Sequence, residues 1–268
     1  MPRRSRSAQA PRQLRTGLRA LGYAWLAGSV ALATAARADE TQWRDFESRI
    51  QYGYYTEDNR ALHNLQQALA QDESHDKLHG YYAGLAAWRL ALLVAQSAPS
   101  EKGASATQLA QRCVKELDVV LEAQTDFAEA LALRAACAEL PLTAGGLHAP
   151  FAGHGSHKDI ERALALAARN PRVLLIAAQS DYELPSGQGG NKERALTRLR
   201  QAVAAFEVER AGAEPVPGWG AAEAYLYLAR DLFDHGDGVG ARDALEHALL
   251  LAPEYLQARR LMAKISSG

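Results

Sequence analysis

The chain has 268 residues, 48% of them hydrophobic, with 30 basic and 31 acidic side chains and two cysteines. Seven of the arginines and no acid fall within the first 38 residues, so the remaining 230 carry 23 basic against 31 acidic side chains, a net charge of −8. This balance excludes nucleic acid or an anionic membrane surface as the main partner, because phosphate binding needs clustered positive charge.

In chain order, the first element reads as an export signal. Arg3, Arg4, Arg6, Arg12, Arg15 and Arg19 form a basic leader, followed over 21–36 by an apolar run without charge and then by Ala36-Arg37-Ala38, a small-x-small cleavage site. The run is shorter than the roughly 20 apolar residues that cross a bilayer. The mature chain is therefore expected to begin at Asp39, to have no membrane span after cleavage, and to be periplasmic or secreted. No Cys near the cleavage site is placed to carry lipid.

Beyond it, residues 39–268 read as one helical repeat domain. Ala and Leu are abundant, runs of Val, Ile and Thr are few, and apolar residues recur every three or four positions, so the class is all-α. Gly, Pro and Ser mark breaks at 97–103, 141–156, 185–190 and 211–218. Second-helix patterns of small and large residues recur as Ala61-x3-Leu65-x2-Ala68, Cys113-x3-Leu117-x2-Val120, Ala195-x3-Leu199-x2-Ala202 and the degenerate Ala163-x2-Leu166. The C-terminal unit is the clearest. There Tyr225-x2-Leu228-Ala229-x2-Leu232 precedes Ala241-x3-Leu245-x2-Ala248-x4-Pro253, with Gly236-Asp237 between the halves. Small residues let two antiparallel helices approach, large ones fill the gaps between them, and Pro253 is expected to start a closing helix over 253–265.

This last unit resembles the tetratricopeptide repeat (TPR) at nearly every signature position. The stretches Asn170-Pro171-Arg172-Val173-Leu174-Leu175, Gly189-Gly190-Asn191-Lys192-Glu193-Arg194-Ala195-Leu196 and Pro217-Gly218-Trp219-Gly220-Ala221-Ala222-Glu223-Ala224 look like exported bacterial repeat proteins of unassigned role. A looser similarity is to the periplasmic repeat component of tripartite (TRAP) transporters, which typically carries a lipid-bearing Cys that this chain lacks. The resemblance implies an α-solenoid of about five helix pairs plus a C-terminal capping helix, binding a partner on the face lined by first helices. The spacing of the second helices exceeds the family's 34-residue period, so the helices are longer or the loops hold insertions.

Candidate chemistry is sparse. No nucleophile elbow and no His-Glu-x-x-His occurs, so no catalytic residue and no cofactor is assigned, and the chain is read as a non-enzyme. Gly187-Gln188-Gly189-Gly190-Asn191-Lys192 lacks P-loop spacing and reads as a flexible entry to a helix near Asn191. Cys113 and Cys137 fall level on neighbouring antiparallel helices if a turn lies at 124–126. They either form a disulfide, worth roughly 3 to 4 kcal/mol in the chain-entropy model, or pack as buried thiols. His148, His154 and His157 offer imidazoles to a transition metal or belong to a Gly-rich insertion. Glu207 and Glu209 read as a solvated helix surface with Arg198, Arg200 and Arg210.

The aromatics Tyr81, Tyr82, Trp88, Tyr182, Trp219, Tyr225 and Tyr227 fall in or beside first helices and serve either the core or a groove. The binding residues selected are Tyr82, Arg89, Arg134, Gln179, Tyr227 and Arg230, since Tyr, Trp and Arg dominate binding hot spots. Arg89 and Arg230 are expected on an open groove, because an unpaired buried guanidinium is costly. Reversing both charges should then spare the fold and weaken capture of a partner, whereas reversal at Arg198 and Arg242 should do neither. The functional expectation is a non-catalytic scaffold or adaptor for a protein or peptide, such as a transporter or envelope component. The alternatives are a transporter accessory handling a small solute and a metal-handling protein using the His loop.

Overall fold

A computed structural model describes residues 41–71, 77–97, 104–143, 152–210 and 216–267. The basic leader and its cleavage site lie outside these residues. The described residues form eleven α-helices and no strand. The helices are α1 (41–55), α2 (Asn59–Gln71), α3 (Lys77–Gln96), α4 (Ala106–Ala123), α5 (Ala128–Thr143), α6 (Ala152–Leu166), α7 (Pro171–Glu183), α8 (Lys192–Arg210), α9 (Ala221–Asp234), α10 (Gly238–Leu251) and α11 (Leu256–Ser266). Adjacent helices pack in pairs, an all-α, solenoid-like arrangement. α3 lies against α4, α5 against α6, α7 against α8 and α9 against α10, while α11 closes on α10.

The C-terminal pair shows why small residues recur. Ala229 on α9 and Ala241, Leu245 and Ala248 on α10 are completely buried, so the two backbones meet over alanine methyls and the leucine fills the seam. The hairpin between them turns at Gly236, whose φ of +83° suits a residue without a Cβ. Asp237 then caps α10 by accepting the Gly240 N–H at 2.8 Å. Upstream, Gly84 of α3 leaves room for Leu117 of α4, which would lie 3.0 Å from an added Cβ. α7 is opened by Asn170, which accepts from the backbone of Arg172 and Val173, with Pro171 in the first turn.

Cys113 on α4 and Cys137 on α5 are bridged, with Cα atoms 6.1 Å apart. Two boundaries differ from the sequence reading. α5 continues through Pro141 to Thr143, and α6 begins at Ala152, so the break expected over 141–156 is shorter. The closing helix starts at Leu256 after a turn at Pro253 and Glu254, so Pro253 ends one unit without entering the next helix.

First helices meet across the array. Within the compact unit Trp43–Gly268, α1 touches α3, α9 and Tyr255 just before α11. The ring of Tyr55 on α1 lies tilted against that of Tyr255, with centroids 4.4 Å apart, and Trp88 of α3 packs 5.9 Å from Trp219 just before α9. Among the described residues no helix is long and apolar enough to cross a membrane.

Candidate functional site: a cleft beside two buried arginines

On α1, the residues Arg44, Glu47, Ser48, Gln51 and Tyr55 recur at helical spacing and form one stripe, beside the buried stripe of Trp43, Ile50 and Tyr54. The polar stripe is one wall of a cleft of about 450 Å³. Glu209 and Arg210 at the end of α8, the segment 218–222 leading into α9, and Leu251 of α10 supply the rest. Gly220 adopts φ +113°, and an added Cβ there would lie 2.8 Å from the Phe206 ring, so a side chain is excluded on both counts. It consequently leaves the α9 N-terminus without a side-chain cap, facing the cleft.

Two buried guanidinium groups hold these walls. Arg89 of α3 pairs with Glu223 in the first turn of α9, both side chains essentially without exposure. Tyr55 donates its hydroxyl to Glu223 at 2.7 Å, and Gln51 donates to the same carboxylate at 3.3 Å. The Arg89 guanidinium carbon lies 4.2 Å from the Tyr54 ring centroid, 4.6 Å from Trp88 and 5.0 Å from Trp219, so aromatic faces replace part of its hydration. Burial alone would lower its pKa, but the Glu223 carboxylate, followed by Tyr54, Tyr55 and Tyr255, leaves it raised. The Tyr55 hydroxyl is pushed well up by burial and then by Glu223.

Arg172 of α7 is the second pin. It donates to Glu129 at 2.7 Å and to both Glu209 oxygens at 2.9 and 2.5 Å, while Asn170 also holds Glu129 at 2.7 Å. Trp219 is fixed by its indole N–H, which donates to Tyr81 at 2.8 Å. Glu47 accepts from Tyr82 at 2.6 Å and from the Gly218 N–H at 2.9 Å. Burial raises the Glu47 pKa against the opposing pull of those two bonds and of Arg172.

The six residues selected from sequence fall in three separate places. Tyr82 and Arg89 are fully buried in the network behind the cleft. The groove position expected for Arg89 is corrected, because the cost argument assumed no partner and Glu223 supplies one from 134 positions away. Reversal of Arg89 would set a carboxylate against Glu223 in the interior, so that variant cannot spare the fold. Arg134 bridges Asp159 of α6 at 2.8 Å and Asp118 of α4 at 2.7 Å, tying three helices. Gln179, Tyr227 and Arg230 belong to the α7–α9–α11 region. Gln179 is buried, and Tyr227 stands perpendicular to Tyr182 at 5.8 Å. Arg230 lies 4.9 Å over Tyr227 and donates to Gln257 at 3.0 Å.

Other expectations also change. Glu209 is not a solvated surface acid but a ligand of buried Arg172, and Arg198 is no neutral control, since it holds buried Asp181 at 2.5 Å. Of the three histidines, His148 lies outside the described residues, and of His154 the backbone alone is described, within α6. His157 is exposed on α6, 3.2 Å from Glu161. Among the described residues no group of three or more His, Cys, Asp or Glu is placed to hold a metal. Sequence reasoning missed the α1 stripe, whose signal was the recurrence of polar side chains at 44, 47, 48, 51 and 55 beside an apolar stripe.

No family model matches the chain, and neither does any curated protein. Among solved structures it is similar to the HusA haemophore from Porphyromonas gingivalis, with 20% identity over 74% of this chain and 93% of that one and a TM-score of 0.55. At that identity the likeness concerns the fold.

Proposed function

We propose that this is an exported, non-catalytic binding protein that carries a small ligand in the cleft between α1 and the α8–α9 junction. The observation that carries the reading is a cleft of about 450 Å³ with walls fixed by two buried arginines. That size lies in the range of small-molecule sites, which are usually formed before the ligand arrives. Export is supported by the leader sequence and by the Cys113–Cys137 bridge, since disulfides persist in oxidising compartments. The small-solute alternative is preferred over a peptide lying along first helices, because Tyr82 and Arg89 are committed to internal partners. Handing the solute to an envelope transporter is the role that the TRAP-type resemblance implies.

The test is a bulky residue at the exposed lining position Ser48. Native mass spectrometry of the mature protein, isolated from its own cell envelope, should find a small-molecule adduct that Ser48→Trp loses without a change in melting temperature. An adduct retained by Ser48→Trp would remove the cleft from the account.

A second reading, that the ligand is a haem, is favoured by the similarity to a haemophore. The apolar residues and arginines of the cleft fit a flat tetrapyrrole with carboxylates, but among the described residues the lining holds no His or Cys, and the Tyr55 hydroxyl is engaged with Glu223. The lining therefore fits the ring better than it fits the iron. Haemin and iron-free protoporphyrin should bind equally if this reading holds, and a strong preference for haemin would place its iron ligand elsewhere.

A further inference from the structure

We propose that Asp231 and His235 form a pH-sensitive latch, which holds the end of α9 to the start of α8 and loosens as the pH rises past neutrality. The latch lies toward the opposite end of α9 from Glu223, about 12 Å along the helix, and does not depend on the cleft reading.

Asp231 stands on the buried side of α9 with 0% of its side chain exposed, and among the described residues neither of its carboxylate oxygens accepts a hydrogen bond. The comparably buried Glu223 and Asp181 are each met by arginine. An ionised carboxylate without donors is costly in the interior unless a counter-charge stands beside it. Here that counter-charge is the ring of His235, one turn on, with Nδ1 3.1 Å from the Asp231 Oδ1. His235 is the C-terminal cap of α9, and its Nδ1 also meets the Asp231 carbonyl at 2.7 Å. Across the ring, Nε2 faces Glu193 in the first turn of α8 at 3.4 Å.

Protonation decides whether the ring can serve both sides. A neutral imidazole carries one N–H and can donate toward α9 or toward α8, whereas the imidazolium donates toward both and brings the charge that Asp231 needs. The negative end of the α9 dipole favours the same form. The other groups whose charge reaches Asp231 are Lys192 and Glu193 of α8 and Asp234 of α9. Lys192 is no substitute for the imidazolium, because it pairs with Asp234 at 3.3 Å and lies 3.1 Å over the ring of Tyr182 on α7. Glu193 and Asp234 add negative charge and so reinforce the demand for a proton.

Both groups respond in one direction. The bond to the Asp231 carbonyl, then the Asp231 charge and Glu193, outweigh burial and raise the His235 pKa above 6.5. Burial raises the Asp231 pKa above 3.8 against the pull of His235 and Lys192. The folded pair therefore keeps protons that the unfolded chain releases. Its contribution is complete below the unfolded values and is lost as the pH rises through the folded ones, the His235 part above 6.5. Once the imidazolium is gone, Asp231 is a buried charge without compensation.

Amide hydrogen exchange of the mature chain at pH 6 and pH 8, corrected for intrinsic rates, reads the latch directly. Amides at the start of α8 and the end of α9 should open at least about fivefold more often at pH 8. His235→Gln, which cannot be charged, should show the pH 8 opening at both pH values, and Asp231→Asn, which removes the buried charge, should show the pH 6 opening at both. In the unaltered chain the carbon-bound ring protons of His235 should titrate above 6.5. Equal opening at pH 6 and pH 8 would overturn the latch, and so would a response that survives in His235→Gln. A ring titrating at or below 6.5 would overturn it without any variant having to fold.

Discussion

The wall of the cleft and the disulfide-bridged region are held together by opposite means. Around α4, α5 and α6 the ties are local: Cys113 and Cys137 are 24 positions apart, and Arg134 reaches Asp118 and Asp159 at 16 and 25 positions in pairs partly open to water. At the cleft the ties reach further, 37 and 43 positions from Arg172 and half the length of the chain from Arg89. Glu223 is 134 positions from Arg89 and 168 from Tyr55, and these three side chains are buried. Local ties restrict the unfolded chain, while long-range buried ties exist in the completed fold alone. The cleft should therefore depend on the closure of the whole array, and the bridged region should tolerate damage elsewhere.

The largest effect should come from removing one half of the buried pair. Glu223→Ala leaves the Arg89 guanidinium uncompensated and should cost about 3–5 kcal/mol. Denaturant unfolding would measure it, and the double replacement Arg89→Met/Glu223→Leu should recover much of the loss. A loss below about 1 kcal/mol would show that the pair is not a tie.

Cys113→Ser/Cys137→Ser should cost roughly 3 kcal/mol by the loop-closure argument. In contrast to Glu223→Ala, it should leave ligand affinity unchanged in protein that remains folded. A variant that loses the ligand while folded would erase the distinction between the two regions.

The bridged region holds its own titrating group. Glu139 of α5 is buried, and its pKa is pushed up to about 7, against hydrogen bonds from Ser180 and Ser156 and with a further push from Asp181. Between the ordinary carboxylate value and 7 the folded chain keeps the proton that the unfolded chain has lost. Stability must therefore fall as pH rises through that window, by up to about 3 kcal/mol. Glu139→Gln should flatten the melting temperature between pH 5 and 7 by this mechanism and raise it at pH 8. An unchanged slope would show that Glu139 titrates normally.

The smallest effect should be Arg210→Ala, which removes an exposed pair and should shift stability by less than about 1 kcal/mol. Its consequence should appear in ligand affinity and not in the melt.

The same contrast explains what could be read from the chain. The local features were legible: the small residues Ala229, Ala241 and Ala248 predicted close helix pairs, and the spacing about a turn predicted that Cys113 and Cys137 would lie level. Both depend on residues a few dozen positions apart at most. The cleft was not legible, because no local pattern tells that α1 returns to α9, or that Glu223 will neutralise Arg89. Periodicity placed Tyr82 and Arg89 on first helices, correctly, but the face that a helix presents depends on which distant helix covers it. The polar stripe of α1 was visible as spacing but had no meaning until Gly218, Trp219 and Gly220 stood opposite.

The most direct test of the central claim is amide chemical-shift mapping of the isotope-labelled mature chain during titration with the small molecule recovered from its own cell envelope. The account predicts that the perturbed amides cluster at Arg44, Ser48, Arg210 and 218–222. Perturbations centred instead on Tyr182, Tyr227 and Arg230 would contradict it and return the binding site to the α7–α9 face.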